Sequence, residues 1–200
     1  MKNLTRRQRE TAVLKERVLD KAEYIFVREG IERVTMRRIA TSIDYAPTVL
    51  YRLFANKADL VDHLIARGYE GVRSKYEEVL AQKDTDPMTT LKGILTTYVD
   101  YALSHPNHYR MWFETSSVHI EKQELHMTHG RLEYVVFKTW LDCIEACRAD
   151  GMFSQRGSME TFQILWSRIH GLISLRLQHP DMSWMPIKLH LETVFDLGSN

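Results

Sequence analysis

One stretch of this 200-residue chain leaves little freedom in how it folds: residues 35–60, TMRRIATSIDYAPTVLYRLFANKADL, have the spacing of two short helices meeting at a tight turn. Thr35 is placed to cap a helix over residues 36–43, whose apolar Met36, Ile39, Ala40 and Ile43 recur three and four apart and so share one face. Asp44, Tyr45 and Ala46 then make a turn. Pro47 suits the first position of a second helix and pushes Ala46 out of the helical region. That helix is short, spanning about residues 47–54, with Leu50 and Phe54 on one side and Thr48, Val49, Tyr51 and Arg52 spread over the others. A small, donor-rich surface on a short helix suits the major groove of DNA, which admits one helix and is read by side chains near its N-terminus. The pattern is that of a helix-turn-helix.

Two arginines sharpen the reading. Arg37 and Arg38 fall in the first turn of the first helix, where positive charge opposes the helix dipole at a cost of about 0.3–1 kcal/mol. An anion held nearby reverses that sign. Taken without their neighbours, the same two residues are equally well read as a solvated surface, because exposed charges contribute little.

A helix ending at Glu29-Gly30, followed by Thr35, Ile39-Ala40, Leu50-Tyr51, Phe54, Lys57 and Leu60, resembles the TetR family of bacterial transcription regulators at each spacing. The resemblance implies that Thr35 and Lys57 face phosphates, that Arg37 reaches a base edge, that Tyr51 anchors on the DNA backbone, and that Thr48, Val49 and Arg52 face the groove. Arg38, Ala46 and Pro47 complete the expected DNA-binding set. Three positions depart from the family pattern: Asp44 replaces the usual turn glycine, Ala46 the usual hydroxyl cap, and Thr48 a common small glycine. Loss of a Ser cap costs about 1 kcal/mol of helix stability, so the rigidity of the second helix falls to Pro47 and packing.

Charge is distributed unevenly. Residues 1–60 carry 13 Lys and Arg against 8 Asp and Glu, while the remainder carry 14 against 18, so a net charge of +1 hides a basic segment that coincides with the motif. Phosphate contacts need such a local excess. A hydrophobic content of 44% with 26% charged residues belongs to an ordinary globular chain and excludes disordered and collagen-like classes. Lys2, Arg6, Arg7 and Arg9 read either as a flexible arm along the minor groove or as a disordered solubilising tail. No apolar run follows them, and no stretch reaches membrane-spanning length, so a cytoplasmic protein is expected.

The rest of the chain reads as helical. Leu14, Val18, Ala22, Ile25 and Phe26 stripe a first helix that Gly30 stops, and a longer helix over residues 57–81 leaves the motif. After a polar break at residues 82–87, helices are expected at 88–104, 106–116, 122–150, 159–178 and 186–197. The expected architecture is all-α, with an N-terminal three-helix DNA-binding module over residues 1–56 and a helical-bundle domain for ligand binding and dimerisation over residues 57–200.

The last two helices, whose ends are Met159, Gln178, Pro186 and Leu197, carry a second clue. Phe162, Trp166, Ile169, Ile173 and Leu177 form an apolar stripe, Ser167, Gly171 and Ser174 a run of small residues, and Ile187, Leu191, Val194 and Phe195 add apolar surface. A second copy packing as a four-helix interface under a two-fold axis accounts for that excess; ordinary intrachain core accounts for any single residue of it. Residues 166–172, with the turn Asp150-Gly151-Met152, further resemble TetR relatives whose effector domains carry a Trp and His-Gly pattern. This resemblance implies an effector domain that dimerises through its last helices and binds a small-molecule effector. Tyr98, Tyr101, Met111, Trp112, Phe113, Trp140, Trp166 and His170 are the candidate lining residues, and Arg110 is positioned to attract an anion or pair with a local carboxylate.

Catalytic patterns are absent: there is no HExxH, glycine-rich phosphate loop or GxSxG elbow, so neither enzyme nor cofactor is expected. His105, His108, His119, His126 and His129, together with Glu114, Glu121 and Glu124, are sufficient donors for a metal, yet read more simply as surface or core histidines. Cys143 and Cys147, four apart on a helix, are poorly directed for a disulfide and read as small buried hydrophobes, with a redox or metal sensor as the alternative. The expected function is a homodimeric, ligand-responsive repressor on a pseudo-palindromic double-stranded DNA operator. The alternative is a helical homodimeric interaction protein that keeps the fold without reading DNA.

Overall fold

A computed structural model describes residues 5–82, 85–114 and 132–196. The described elements are helices and one 3-10 turn, with no strand among the described residues. In chain order they are α1 (Arg6–Glu29), the turn Ile31–Arg33, α2 (Met36–Ser42), α3 (Pro47–Leu50), α4 (Lys57–Leu80), α5 (Pro87–Ser104), α6 (Pro106–Glu114), α7 (Leu132–Ala149), α8 (Ser158–Gln178) and α9 (Ile187–Asp196). The chain divides into two compact units, residues 1–68 with 110–121, and residues 69–109 with 122–200. None of the helices is long and apolar enough to cross a membrane.

In the first unit, α1 begins earlier than its apolar stripe suggests. Thr5 accepts from the Gln8 amide while the Gln8 side chain accepts from the Thr5 amide, a reciprocal cap that satisfies two orphan donors. Arg6, Arg7 and Arg9 therefore lie on the first turn of a helix rather than in an arm or tail; Lys2 lies outside the described residues. Gly30 ends α1 at φ +86°, a conformation open to glycine at little cost. Val18, Ala22, Ile25 and Phe26 of α1 are buried with Ile39 and Ala40 of α2, Leu50, Phe54, and Leu60, Val61 and Leu64 of α4. Met111 joins the same core. Each fully buried aliphatic here contributes about 1.5–3 kcal/mol. Arg67 on α4 draws in Asp20, Glu23 and Glu16 of α1 at 2.6, 3.3 and 4.0 Å, tying the two helices across their exposed edge.

In the second unit α5, α7 and α8 pack together, and Leu191 of α9 is buried. Asp86 caps α5 by accepting from the Thr89 amide at 2.9 Å, one residue ahead of Pro87 at the first helical position. α7 is followed by the expected turn, with Gly151 at φ +86°. Ile94, Leu95, Tyr98, Val136, Trp140, Ile144, Ile169 and Ile173 have no exposed surface. Residues 122–131 of the expected helix 122–150 lie outside the described residues, as do His119, Glu121, Glu124, His126 and His129. The side chains of Val194 and Phe195 are likewise outside them.

Candidate functional site

The helix-turn-helix forms from its own sequence. Thr35 Oγ1 accepts from the Arg38 amide at 3.2 Å, starting α2. Asp44 takes φ +62°, the left-handed conformation that, glycine aside, Asp and Asn tolerate best. The Tyr45 amide then donates to the Ala40 carbonyl at 3.0 Å and closes the turn. Ala46 offers no side-chain cap to α3.

α3 is shorter than the expected 47–54. Regular helix ends at Leu50, after which Arg52 donates to Val49 and Leu53 to Leu50 across three residues, so the last turn tightens to 3-10 geometry. Phe54 is held in the core beneath it, edge-on to His63 at 5.2 Å. The Lys15 ammonium donates to His63 Nε2 at 2.8 Å, so Nδ1 carries the ring proton and donates to the Asp59 carbonyl at 2.8 Å. Asn56 accepts from the Asp59 amide and Asp59 accepts from the Ala55 amide, capping α4 from both sides.

Over this core, Thr35, Arg37, Ala46, Thr48, Tyr51 and Arg52 are exposed, Tyr51 with 54% of its surface. Tyr45, exposed in the turn, adds a ring and hydroxyl that the helix pattern did not single out, since turn residues fall outside any periodicity. Pro47 is half-buried and Val49 packs partly against the core. Arg38 is held by a two-pronged pair with Glu29, at 2.8 and 2.5 Å. The guanidinium in turn keeps the Glu29 carboxyl below its usual range. Lys57 Nζ donates to the Ile31 carbonyl at 2.9 Å, which pins the start of α4 to the 3-10 turn.

The eight candidate effector residues separate. Met111, Trp112 and Phe113 belong to the first unit: Met111 is in its core, Trp112 is buried with its ring 3.0 Å from where a Cβ on Gly68 would lie, and Phe113 is half-buried. Arg110, in the same unit, is exposed. Tyr98, Tyr101, Trp140, Trp166 and His170 belong to the second unit. Four of these cluster. Tyr98 meets Trp140 edge to face at 5.2 Å, Trp140 meets Trp166 at 5.6 Å, and Trp166 lies 3.8 Å from the His170 ring. Phe137 and Phe162 close the group around Trp166 at 4.6 and 5.7 Å. Tyr98 and Tyr109 hydroxyls bond the two His170 nitrogens at 3.3 and 3.0 Å, and burial pushes that imidazole down to about 3. Tyr101 lies elsewhere, stacked on His105 and bonded to His108 Nδ1 at 3.1 Å.

Also within the second unit, α8 and α9 border a hollow of about 330 Å³ lined by Ser167, Gly171, Leu172, Leu175, Trp184 and His190, among others. Leu175 and Leu189 each expose 49% of their surface, and Met182 and Met185 are exposed on the connection between the two helices. Burial pushes the Cys143 and Cys147 thiols up to about 11, which disfavours the reactive thiolate. Among the described residues no group of three or more His, Cys, Asp or Glu is placed to hold a metal ion.

Residues 91–196 match the family described as "Tetracyclin repressor-like, C-terminal domain", and residues 18–64 match "Bacterial regulatory proteins, tetR family". The chain belongs to the TetR family. Among relatives of this TetR-family protein, the nucleoid occlusion factor SlmA of Actinobacillus pleuropneumoniae is 31% identical over 78 residues, 39% of this chain and 38% of that protein. The HTH-type transcriptional repressor KstR2 of Rhodococcus jostii is 26% identical over 137 residues, 68% of this chain and 66% of that one. The aligned part thus spans less than two thirds of either relative. A solved structure of a protein of unknown function from Rhodococcus sp. RHA1 superposes with a TM-score of 0.76 at 14% identity, covering 92% of this chain and 93% of that one, which is a likeness of fold.

Proposed function

We propose that this TetR-family protein is a sequence-specific, ligand-responsive repressor that binds a pseudo-palindromic operator as a homodimer. The observation that carries the reading is the exposed row of Arg37, Thr48, Tyr51 and Arg52 standing on a buried helix-turn-helix core, with the family match over the same residues. Arg37 reads a base edge, Thr35 and Tyr51 hold phosphates, and Arg38 and Lys57, engaged by Glu29 and Ile31, first serve to position α2 and α4. Ala46, Pro47, Thr48, Val49 and Arg52 present α3 to the major groove. Two such helices sit about 34–36 Å apart to meet successive turns of DNA. The repressor direction accords with the name of the R. jostii relative.

Dimerisation uses α8 and α9, where Leu175 and Leu189 are exposed, together with Met182 and Met185 on the connection between them. An effector taken by the second domain shifts the protein toward a state with weaker operator affinity. A coupling of about 1–3 kcal/mol weakens DNA binding roughly 5- to 150-fold. The proposed DNA-binding domain is residues 1–56, and the proposed ligand-binding and dimerisation domain is residues 57–200.

The experiment is a binding selection on genomic fragments at near-physiological salt, with sequencing of the retained DNA. Enrichment of one inverted repeat is expected, and Arg37→Ala should weaken binding to it by about 1–3 kcal/mol. The uncapped α3 favours a second reading, a helical homodimer that keeps the fold without reading DNA. A folded dimer that enriches no sequence, with Arg37→Ala leaving every binding activity intact, establishes that reading instead.

A further inference from the structure

The hollow between α8 and α9 has in its wall a polar atom with nothing to bond. His190 of α9 borders it, and the ring nitrogen Nδ1 is buried without a hydrogen-bond partner. Buried polar atoms are almost always paired, and one that is not calls for a reason. A neutral imidazole can turn the lone pair of Nδ1 inward and keep its proton on Nε2, whereas a second proton puts an N–H donor where no acceptor waits. The charges nearby act in the same direction. Arg176 of α8 is the charged group that acts on the ring, and Arg168, also of α8, lines the same hollow. The Arg176 guanidinium lies over the Trp184 ring at 5.4 Å and donates to the Met185 carbonyl; its Nε is buried without a partner, and no carboxylate among the described residues pairs with it. On α9 itself, Lys188 and Glu192 border a different hollow, against α5. Burial, then Arg176, hold the His190 imidazole below its ordinary value. At neutral pH the hollow therefore contains an uncharged ring, and acid places a cation beside a cation.

A two-fold dimer through α8 and α9 covers one such group on each protomer and removes the water that screens it. We infer that His190, set in this hollow beside Arg176 and Arg168, makes the α8–α9 dimer sensitive to protons: it is tight while both rings are neutral and loosens when they take up charge. The inference rests on the dimerisation reading above and adds its regulation. A proton on His190 costs more in the dimer than in the free protomer, so proton uptake and association oppose each other. Dimer strength is full above about pH 6.5 and is lost as pH falls through the value of the free protomer. An operator that needs two reading helices loses affinity over the same range.

Sedimentation of the full chain between about pH 7.5 and 5 tests it. The dimer dissociation constant should rise about tenfold or more on acidification, with a ceiling of about a hundredfold per pH unit for two rings, one on each protomer. His190→Gln keeps a polar side chain but cannot take the charge, and should flatten that profile. A second readout needs no variant: dilution calorimetry of the wild-type chain near pH 5.5, in buffers of different ionisation heat, should show protons taken up as the dimer parts. A profile as steep in His190→Gln as in the wild type, or dissociation without proton uptake, overturns the inference. A dimer that Leu175→Glu with Leu189→Glu leaves intact at pH 7.5 overturns the dimer face and the inference with it. A dimer that this pair of changes does break, yet whose strength is the same at every pH, overturns the proton sensing and keeps the dimer face.

Discussion

His170 sits where its charge cannot form. Its ring is largely enclosed by Trp166, Tyr98 and Tyr109, and burial lowers it from 6.5 to about 3. Between those values the unfolded chain binds a proton that the folded chain does not, so stability is full above about pH 6.5 and declines as pH falls toward 3. The slope this residue adds is at most about 1.4 kcal/mol per pH unit. Chemical denaturation at a series of pH values should show a slope between pH 6.5 and 4 that is shallower in His170→Gln; an unchanged slope would mean the imidazole titrates normally. The sequence placed Trp166 and His170 on one helical face, four residues apart, but Tyr98 and Tyr109 reach them from 72 and 61 residues away. Arg38 shows the same limit. Its charge was visible, while the Glu29 carboxylate that holds it lies on the helix before it. That carboxylate is lowered from its usual range, so the pair is intact at neutral pH and is lost only as pH falls through the depressed value.

The short α3 shows what local chemistry controls at the scale of an element. It has Pro47 at its first position but no side chain to bond its free amides, and regular helix lasts four residues. Ala46 is exposed, so a hydroxyl there meets no steric obstacle. Ala46→Ser should stabilise the protein by about 1 kcal/mol, read as a shift in denaturation midpoint at unchanged slope. If α3 reads DNA, the more rigid helix should also tighten operator binding or leave it equal. The turn before it was legible because Asp, Tyr and Ala break the helical pattern and Pro47 restarts it. The start of α1 was legible too, in Thr5 and Gln8 spaced for a reciprocal cap, a signal outweighed by the basic residues between and after them. The ends of α4, α5, α8 and α9 agree with the pattern to within a residue, since caps and prolines act locally.

Across the whole molecule, the proposed dimer rests on apolar surface exposed on α8 and α9, with Leu175 and Leu189 each half-exposed among the described residues. Leu175→Glu with Leu189→Glu places charge on two half-exposed positions of that surface without entering the buried stripe of Ile169 and Ile173. Sedimentation should show a folded monomer, with a dimer weakened by about 2 kcal/mol or more if these are central contacts, and operator affinity should fall with it. A dimer of unchanged strength would move the interface to another face.

Periodicity, capping residues and turn chemistry act over a few residues, so the all-α class, the helix-turn-helix and most helix bounds were determined by the sequence alone. Which helices share a core is a matter of packing between residues far apart in the chain. Thus Leu60, Val61 and Leu64 of α4 and Met111 of α6 join the core of α1 to α3, while Tyr98, Trp140, Trp166 and His170 gather in the other unit. The bond between Trp140 and Tyr76, 64 residues apart, belongs to that packing too. A tyrosine on a helix face carries no mark of what lies opposite, and only the tertiary structure set Trp140 against its oxygen.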